Sequence, residues 1–178
     1  MPFKIIYVES FYILNNIPNF QKDGLKLICL LLLLQSKAAT VGSEDIRQWH
    51  LSAPPAGRGW KQVGYTDMFH LNGYRERLVD NNEDNNVDPW EITNGVAGIN
   101  NVSRHIVYAG GLTKDGRTPK DTRTKAQHNA MQKYVLNFVR RFPDVKVAGH
   151  NQFAAKACPS FNVPEWCRAI GVPEENIN

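Results

Sequence analysis

A chain of 178 residues, 42% hydrophobic and 21% charged, has room for one core that buries about two-thirds of the unfolded surface, and its even mix excludes disordered and fibrous classes. The net charge of +4 is dispersed. Its one local concentration, Lys114, Arg117, Lys120, Arg123 and Lys125, is interrupted by Asp115 and Asp121 and lacks interleaved aromatics, so nucleic acid is not an expected partner. Three cysteines, Cys29, Cys158 and Cys167, cannot form an even disulfide framework; a reducing compartment, or a cysteine given to a metal, fits better.

Residues 1–40 read as an atypical N-terminal segment and residues 41–178 as the main domain. From Phe3 to Phe20 aromatics and aliphatics mix without a period of 2 or 3.6, and no element is assigned there. Leu27 to Leu34 is an unbroken apolar run after Lys26. It resembles the apolar part of a secretory signal, but the long, weakly charged stretch before it favours a buried first core strand. The run is too short to span a bilayer as a helix, so no stable membrane insertion is expected.

Ser43 is the expected N-cap of a short helix with Glu44 and Asp45 in its first turn and Ile46, Trp49 and His50 along it. Pro54-Pro55-Ala56-Gly57 ends that helix. Val63 to Leu71 and Tyr74 to Val79 then read as a hairpin about Asn72-Gly73. Asp80 to Asn86 crowds oxygen-bearing side chains but lacks the glycine and terminal glutamate of a calcium loop, and is read as solvated. Arg104 to Ala109 is a strand closed by Gly110-Gly111.

Thr124 caps the longest predicted helix, which runs to about Phe142 with Ala126, Ala130, Met131, Tyr134, Val135, Phe138 and Phe142 on its core face. Val145 to Ala148 is a further strand, and Pro164 opens a last helix to Ile170. Alternating helices and strands predict an α/β (α+β) domain with a mixed sheet.

The densest chemistry is in Gly149-His150-Asn151-Gln152-Phe153-Ala154-Ala155-Lys156-Ala157-Cys158-Pro159. A His at a strand end and a Cys eight residues later can converge on one tetrahedral zinc ion. The same spacing also suits a buried structural cysteine beside a hydrogen-bonded histidine.

Four segments, Asp45-Ile46-Arg47-Gln48-Trp49-His50, Gly59-Trp60 through Val63-Gly64-Tyr65, Tyr108-Ala109-Gly110-Gly111 and Ala155-Lys156-Ala157-Cys158-Pro159-Ser160-Phe161, resemble the zinc-dependent N-acetylmuramoyl-L-alanine amidases, which include amidase-type phage lysozymes and animal peptidoglycan recognition proteins. The resemblance runs from about Val41 to Gly171. It implies a central mixed sheet flanked by helices, a shallow groove for the glycan strand and stem peptide of peptidoglycan, and one Zn²⁺ held by two His and one Cys. By position, His150 matches the second His ligand, Cys158 the Cys ligand, Tyr65 the active-site tyrosine and Lys156 the basic residue beside the metal.

The first His ligand has no counterpart. The family carries it at the end of its first core strand, in a motif close to His-Cys-Ser/Thr-Ala-Thr, where this chain reads Gln35-Ser36-Lys37-Ala38-Ala39-Thr40 after the apolar run. No His precedes His50. His50 reads as a packed helix residue, His70 as facing away from Tyr65, His105 as a strand residue where relatives carry a small one, and His128 as lying on the solvent side of the long helix. Thr66 and Gly95 also stand where relatives frequently have His.

The expectation is a monomeric peptidoglycan amidase, or a peptidoglycan-binding domain of the same fold with impaired catalysis. It is cytoplasmic until lysis if it is a phage or prophage endolysin, and periplasmic or secreted if residues 27–34 are a signal.

Overall fold

The computed structural model describes the backbone of Ile5–Phe11 and the whole of residues 41–178. Five strands form one mixed sheet: β1 (Ile5–Phe11), β2 (Asp67–Phe69), β3 (Arg75–Arg77), β4 (Ser103–Ala109) and β5 (Lys146–Gly149), in the order β3-β2-β4-β1-β5. β2 and β3 are antiparallel; β2, β4, β1 and β5 run parallel. Among the described residues three helices, α1 (Ser43–Leu51), α2 (Lys125–Arg141) and α3 (Val163–Ile170), cover it. This is the expected α/β class with a central mixed sheet.

Alternation along β4 sorts the two faces. Ile106 and Tyr108 pack with Val147 of β5, Met131, Val135 and Phe138 of α2, and Trp166 and Ile170 of α3. Val107 and Ala109 pack the other way, with Ile46 of α1, Val63, Tyr65 and Met68. Because both faces are covered, all seven residues of β4 are buried.

α2 is capped as expected: the Thr124 hydroxyl accepts from Gln127 N at 3.1 Å, and Gln127 Oε1 accepts from Thr124 N at 2.9 Å. Its core face differs at the first turn, where Ala126 is exposed and Gln127 is fully buried. At α1 the cap is Gly42 rather than Ser43, and the Asp45 carboxylate accepts from Gly42 N at 3.0 Å. The hairpin strands are also shorter than expected: Val63 O accepts from Asn94 N, Gly64 N donates to the His50 ring, and Thr66 donates to His105 O and accepts from Leu78 N.

The strand between β4 and β5 is β1, drawn from a stretch in which no element was expected. A parallel strand in a sheet covered on both faces need not alternate polar with apolar residues. The run at 27–34, expected as the first core strand, lies outside the described residues, as do Gln35 and Ser36.

The acidic loop after β3 is tied down rather than freely solvated. Glu83 pairs with Arg75 at 2.8 Å and also with Arg77 and Arg141, while the buried Glu91 carboxylate accepts from Asn82 N, Asp88 N and Arg104.

Candidate functional site

β5 ends at Gly149, and the chain enters a single 3₁₀ turn at His150–Gln152. Residue 149 must be small, because a Cβ there would meet Asn151 Oδ1 at 2.5 Å and Val163 Cγ2 at 2.8 Å. The turn folds back so that Asn151 N donates to Cys158 O at 2.8 Å. Tyr108 donates from its hydroxyl to Pro159 O at 2.8 Å, and Ser160 Oγ to Gly111 O at 2.7 Å, fixing the far side of the loop to the end of β4. His150 and Cys158 therefore come from two tethered segments at one end of the sheet, and both are 6% exposed.

His105 lies on the same face as Val107 and Ala109, and its ring is fully buried. Thr93 Oγ1 is 2.8 Å from its Nδ1. Burial, with a smaller electrostatic contribution from His150, pushes its pKa down to about 3, which keeps the ring neutral.

Tyr65 is 9% exposed and packs on this same face of the sheet, against Val107, Ala109 and Met68. Lys156 is exposed within the loop between His150 and Cys158. All four residues singled out from the sequence thus lie on one side or one end of the sheet.

The remaining histidines have partners of their own. His50 is buried, accepts at Nδ1 from Gly64 N at 3.1 Å and packs on Trp60 and Tyr65 with centroids 4.8 and 5.4 Å away. Burial, with Arg58 nearby, lowers its pKa to about 4. His70 pairs with Glu76 at 2.7 Å and stacks on Tyr74. His128 meets the edge of Trp166.

An imidazole and a thiol are the donor types that zinc prefers, and a catalytic zinc takes three protein ligands. His150 and Cys158 suit two of those places. Among the described residues, however, no three His, Cys, Asp or Glu side chains are grouped closely enough to hold a metal. A cavity of about 1040 Å³ bordered by Arg75, Tyr134 and Pro173 lies beside α2 and is lined by none of the candidate residues.

No protein-family model matches the chain. It is 29% identical over 126 residues to the endolysin of Klebsiella phage KP32, covering 71% of this chain and 74% of that one. Among solved structures it is similar to the N-acetylmuramoyl-L-alanine amidase LysC of Clostridium intestinale, with a TM-score of 0.53 at 12% identity over 97% of this chain and 87% of that one. The peptidoglycan recognition protein ectodomains LCa and LCx give a TM-score of 0.58 at 14% identity, over 99% and 85%. The fold is that of amidases and peptidoglycan recognition proteins. The chain is thus similar in sequence to phage endolysins and in fold to amidases and peptidoglycan recognition proteins.

Proposed function

We propose that the chain is an N-acetylmuramoyl-L-alanine amidase, hydrolysing the amide between N-acetylmuramic acid and L-alanine in peptidoglycan. A peptidoglycan-hydrolysing function of the amidase type is supported by the endolysin relatives and the amidase fold. The observation that carries the finer reading is the pairing of buried His150 with buried Cys158 through the Asn151–Cys158 backbone bond.

In this reading His150 and Cys158 are two of the zinc ligands. Bound zinc would lower the pKa of a water to about 7 and polarise the scissile carbonyl. Tyr65 would hold the attacking water through its hydroxyl, and the Lys156 ammonium would stabilise the oxyanion that develops as water adds. The protein would act as a monomer on glycan strand and stem peptide. As a phage-type endolysin it would remain in the host cytoplasm until lysis; among the described residues no helix is long and apolar enough to cross a membrane.

A second reading, a peptidoglycan-binding domain with impaired catalysis, rests on the sequence, where Gln35-Ser36-Lys37-Ala38-Ala39-Thr40 has no His at the place expected for the first ligand. Release of stem peptides from purified cell walls, with added Zn²⁺ and with chelator, separates the two. The amidase reading requires release that chelator abolishes and Zn²⁺ restores, with none from Cys158→Ser. Wall binding without release would leave the binding domain.

A further inference from the structure

We propose that the hairpin after β4, with the residues that lead from it into α2, is a cationic docking surface for the free carboxylates of peptidoglycan stem peptides, holding the wall beside the candidate site. This rests on the reading of the chain as a protein that acts on peptidoglycan, and it does not depend on a metal.

Residues 112–125 carry five Lys and Arg against two Asp, so +3 of the chain's net +4 is in this stretch. In the sequence Asp115 and Asp121 interrupt the positive charge, but the folded loop occupies both carboxylates internally. Asp121 takes the Arg123 guanidinium through both oxygens, with Nε donating to Oδ1 at 3.0 Å and Nη2 to Oδ2 at 2.8 Å. That guanidinium is 3.4 Å over the Phe161 ring, and only 6% of the Arg123 side chain is exposed. Asp115 closes the hairpin turn, accepting from the Thr113 hydroxyl and from Arg117 N at 3.2 Å. Lys114, Arg117, Lys120 and Lys125 are left on the surface, all four exposed.

The hairpin is held by its own bonds and by the candidate site. Leu112 bridges to Pro119, Thr113 N donates to Thr118 O at 2.8 Å, and Gly116 N donates to Thr113 O at 2.8 Å. At its base the Gly111 carbonyl accepts both from Lys120 N at 3.0 Å and from Ser160 Oγ at 2.7 Å. One carbonyl therefore seats the basic hairpin against the loop that carries Lys156 and Cys158. Cations held on a bonded hairpin lose less freedom on binding than cations on a free tail, so more of their attraction to an anion is kept.

The partner follows from what the surface lacks. Residues 112–125 contain no aromatic, and their one aliphatic side chain larger than proline, Leu112, is half-buried. Nucleic-acid bases have nothing to stack on there, and a bilayer has no apolar anchor. A partner recognised by charge alone remains. In peptidoglycan that charge is the carboxylate of the stem peptides, repeated along each glycan strand, so one strand can engage several of these cations at once.

The test is sedimentation of the full chain with purified peptidoglycan sacculi stripped of phosphate polymers, across a salt series and with chelator present so that the wall is not consumed. The unmodified protein is compared with the triple variant Lys114→Gln, Arg117→Gln, Lys120→Gln, with circular dichroism as a folding control. An exposed ion pair contributes up to about fivefold in affinity, so the triple variant is expected to bind about 10-fold more weakly at low salt. Raising NaCl to about 0.5 M, where screening shortens the reach of exposed charges to a few ångströms, is expected to bring the unmodified protein down to the variant's level. Capping the carboxylates of the sacculi as neutral amides should do the same, and this arm needs no variant, so it decides the matter even if the triple variant misfolds. Equal binding by the two proteins, or undiminished binding to capped sacculi, would overturn the proposal. Binding only to walls that keep their phosphate polymers would overturn it as well, making phosphate the partner. Hairpin-dependent binding without stem-peptide release in the absence of chelator would end the amidase reading and leave the docking surface standing. Release with binding unchanged in the triple variant would overturn the docking surface alone.

Discussion

The His105 ring occupies the space that a side chain at Gly95 would need: a Cβ on residue 95 would be 2.2 Å from His105 Cδ2 and 2.4 Å from Cγ. Both are positions at which the sequence departs from the family that it resembles, with an imidazole gained on β4 and one lost on the loop. The fold brings them into contact.

That contact makes the two positions energetically coupled. Gly95→Ala forces a buried ring tied to Thr93 to move, and overpacking of this kind costs about 1–3 kcal/mol. His105→Ala leaves a cavity and is destabilising alone. In the double variant each change relieves the other, so the summed cost should fall well short of additive. Urea unfolding of the four proteins measures this, and strict additivity would mean that the ring is not confined by residue 95.

Gln127 joins two strands through one side chain: its Nε2 donates to Phe69 O at 3.0 Å and to Ala109 O at 2.9 Å. Gln127→Leu leaves both buried carbonyls without this donor and should cost about 1–3 kcal/mol. Equal unfolding midpoints for Gln127→Leu and the unmodified chain would show that other donors replace it.

Stability should fall in mild acid because of His50. Its folded pKa of about 4 is below the ordinary 6.5, so between those values the unfolded chain binds more protons and stability rises with pH. The contribution is complete above about pH 6.5 and is lost as pH falls toward 4, with a ceiling on the order of 3 kcal/mol. The physical event is protonation of the Nδ1 that accepts from Gly64 N. His50→Asn keeps an acceptor there and does not titrate, so unfolding curves at pH 7 and pH 5 should differ less for it than for the unmodified chain.

The elements readable from sequence were those whose cause is local. Thr124 followed three residues later by Gln127 is a cap that can be recognised without the rest of the chain. So is the segment running to Cys158-Pro159-Ser160-Phe161. Gln127 as a two-strand bridge was not legible, because its acceptors are 58 and 18 residues away. Glu91 was equally hidden; its burial is set by Arg104 and two backbone amides that only the folded loop assembles. The central strand was missed for a related reason: Ile5–Phe11 is short and mixed, and its position between β4 and β5 is decided by partners about 100 and 140 residues downstream.

Lys156 provides the sharpest test of the proposed chemistry, because its side chain is exposed and its backbone is held separately, with Lys156 N donating to Ala154 O at 2.7 Å. Lys156→Gln should therefore leave the melting temperature and the zinc content of the protein unchanged. If the ammonium stabilises charge that develops only as the amide carbonyl is attacked, the loss should fall on kcat, by about 10²–10³-fold, with KM little altered. Lys156→Arg keeps the charge but not the compact ammonium, and should recover part of the rate. Steady-state kinetics on a soluble muropeptide separate these terms. A loss confined to KM would make Lys156 a ground-state contact for the substrate and remove it from the catalytic step.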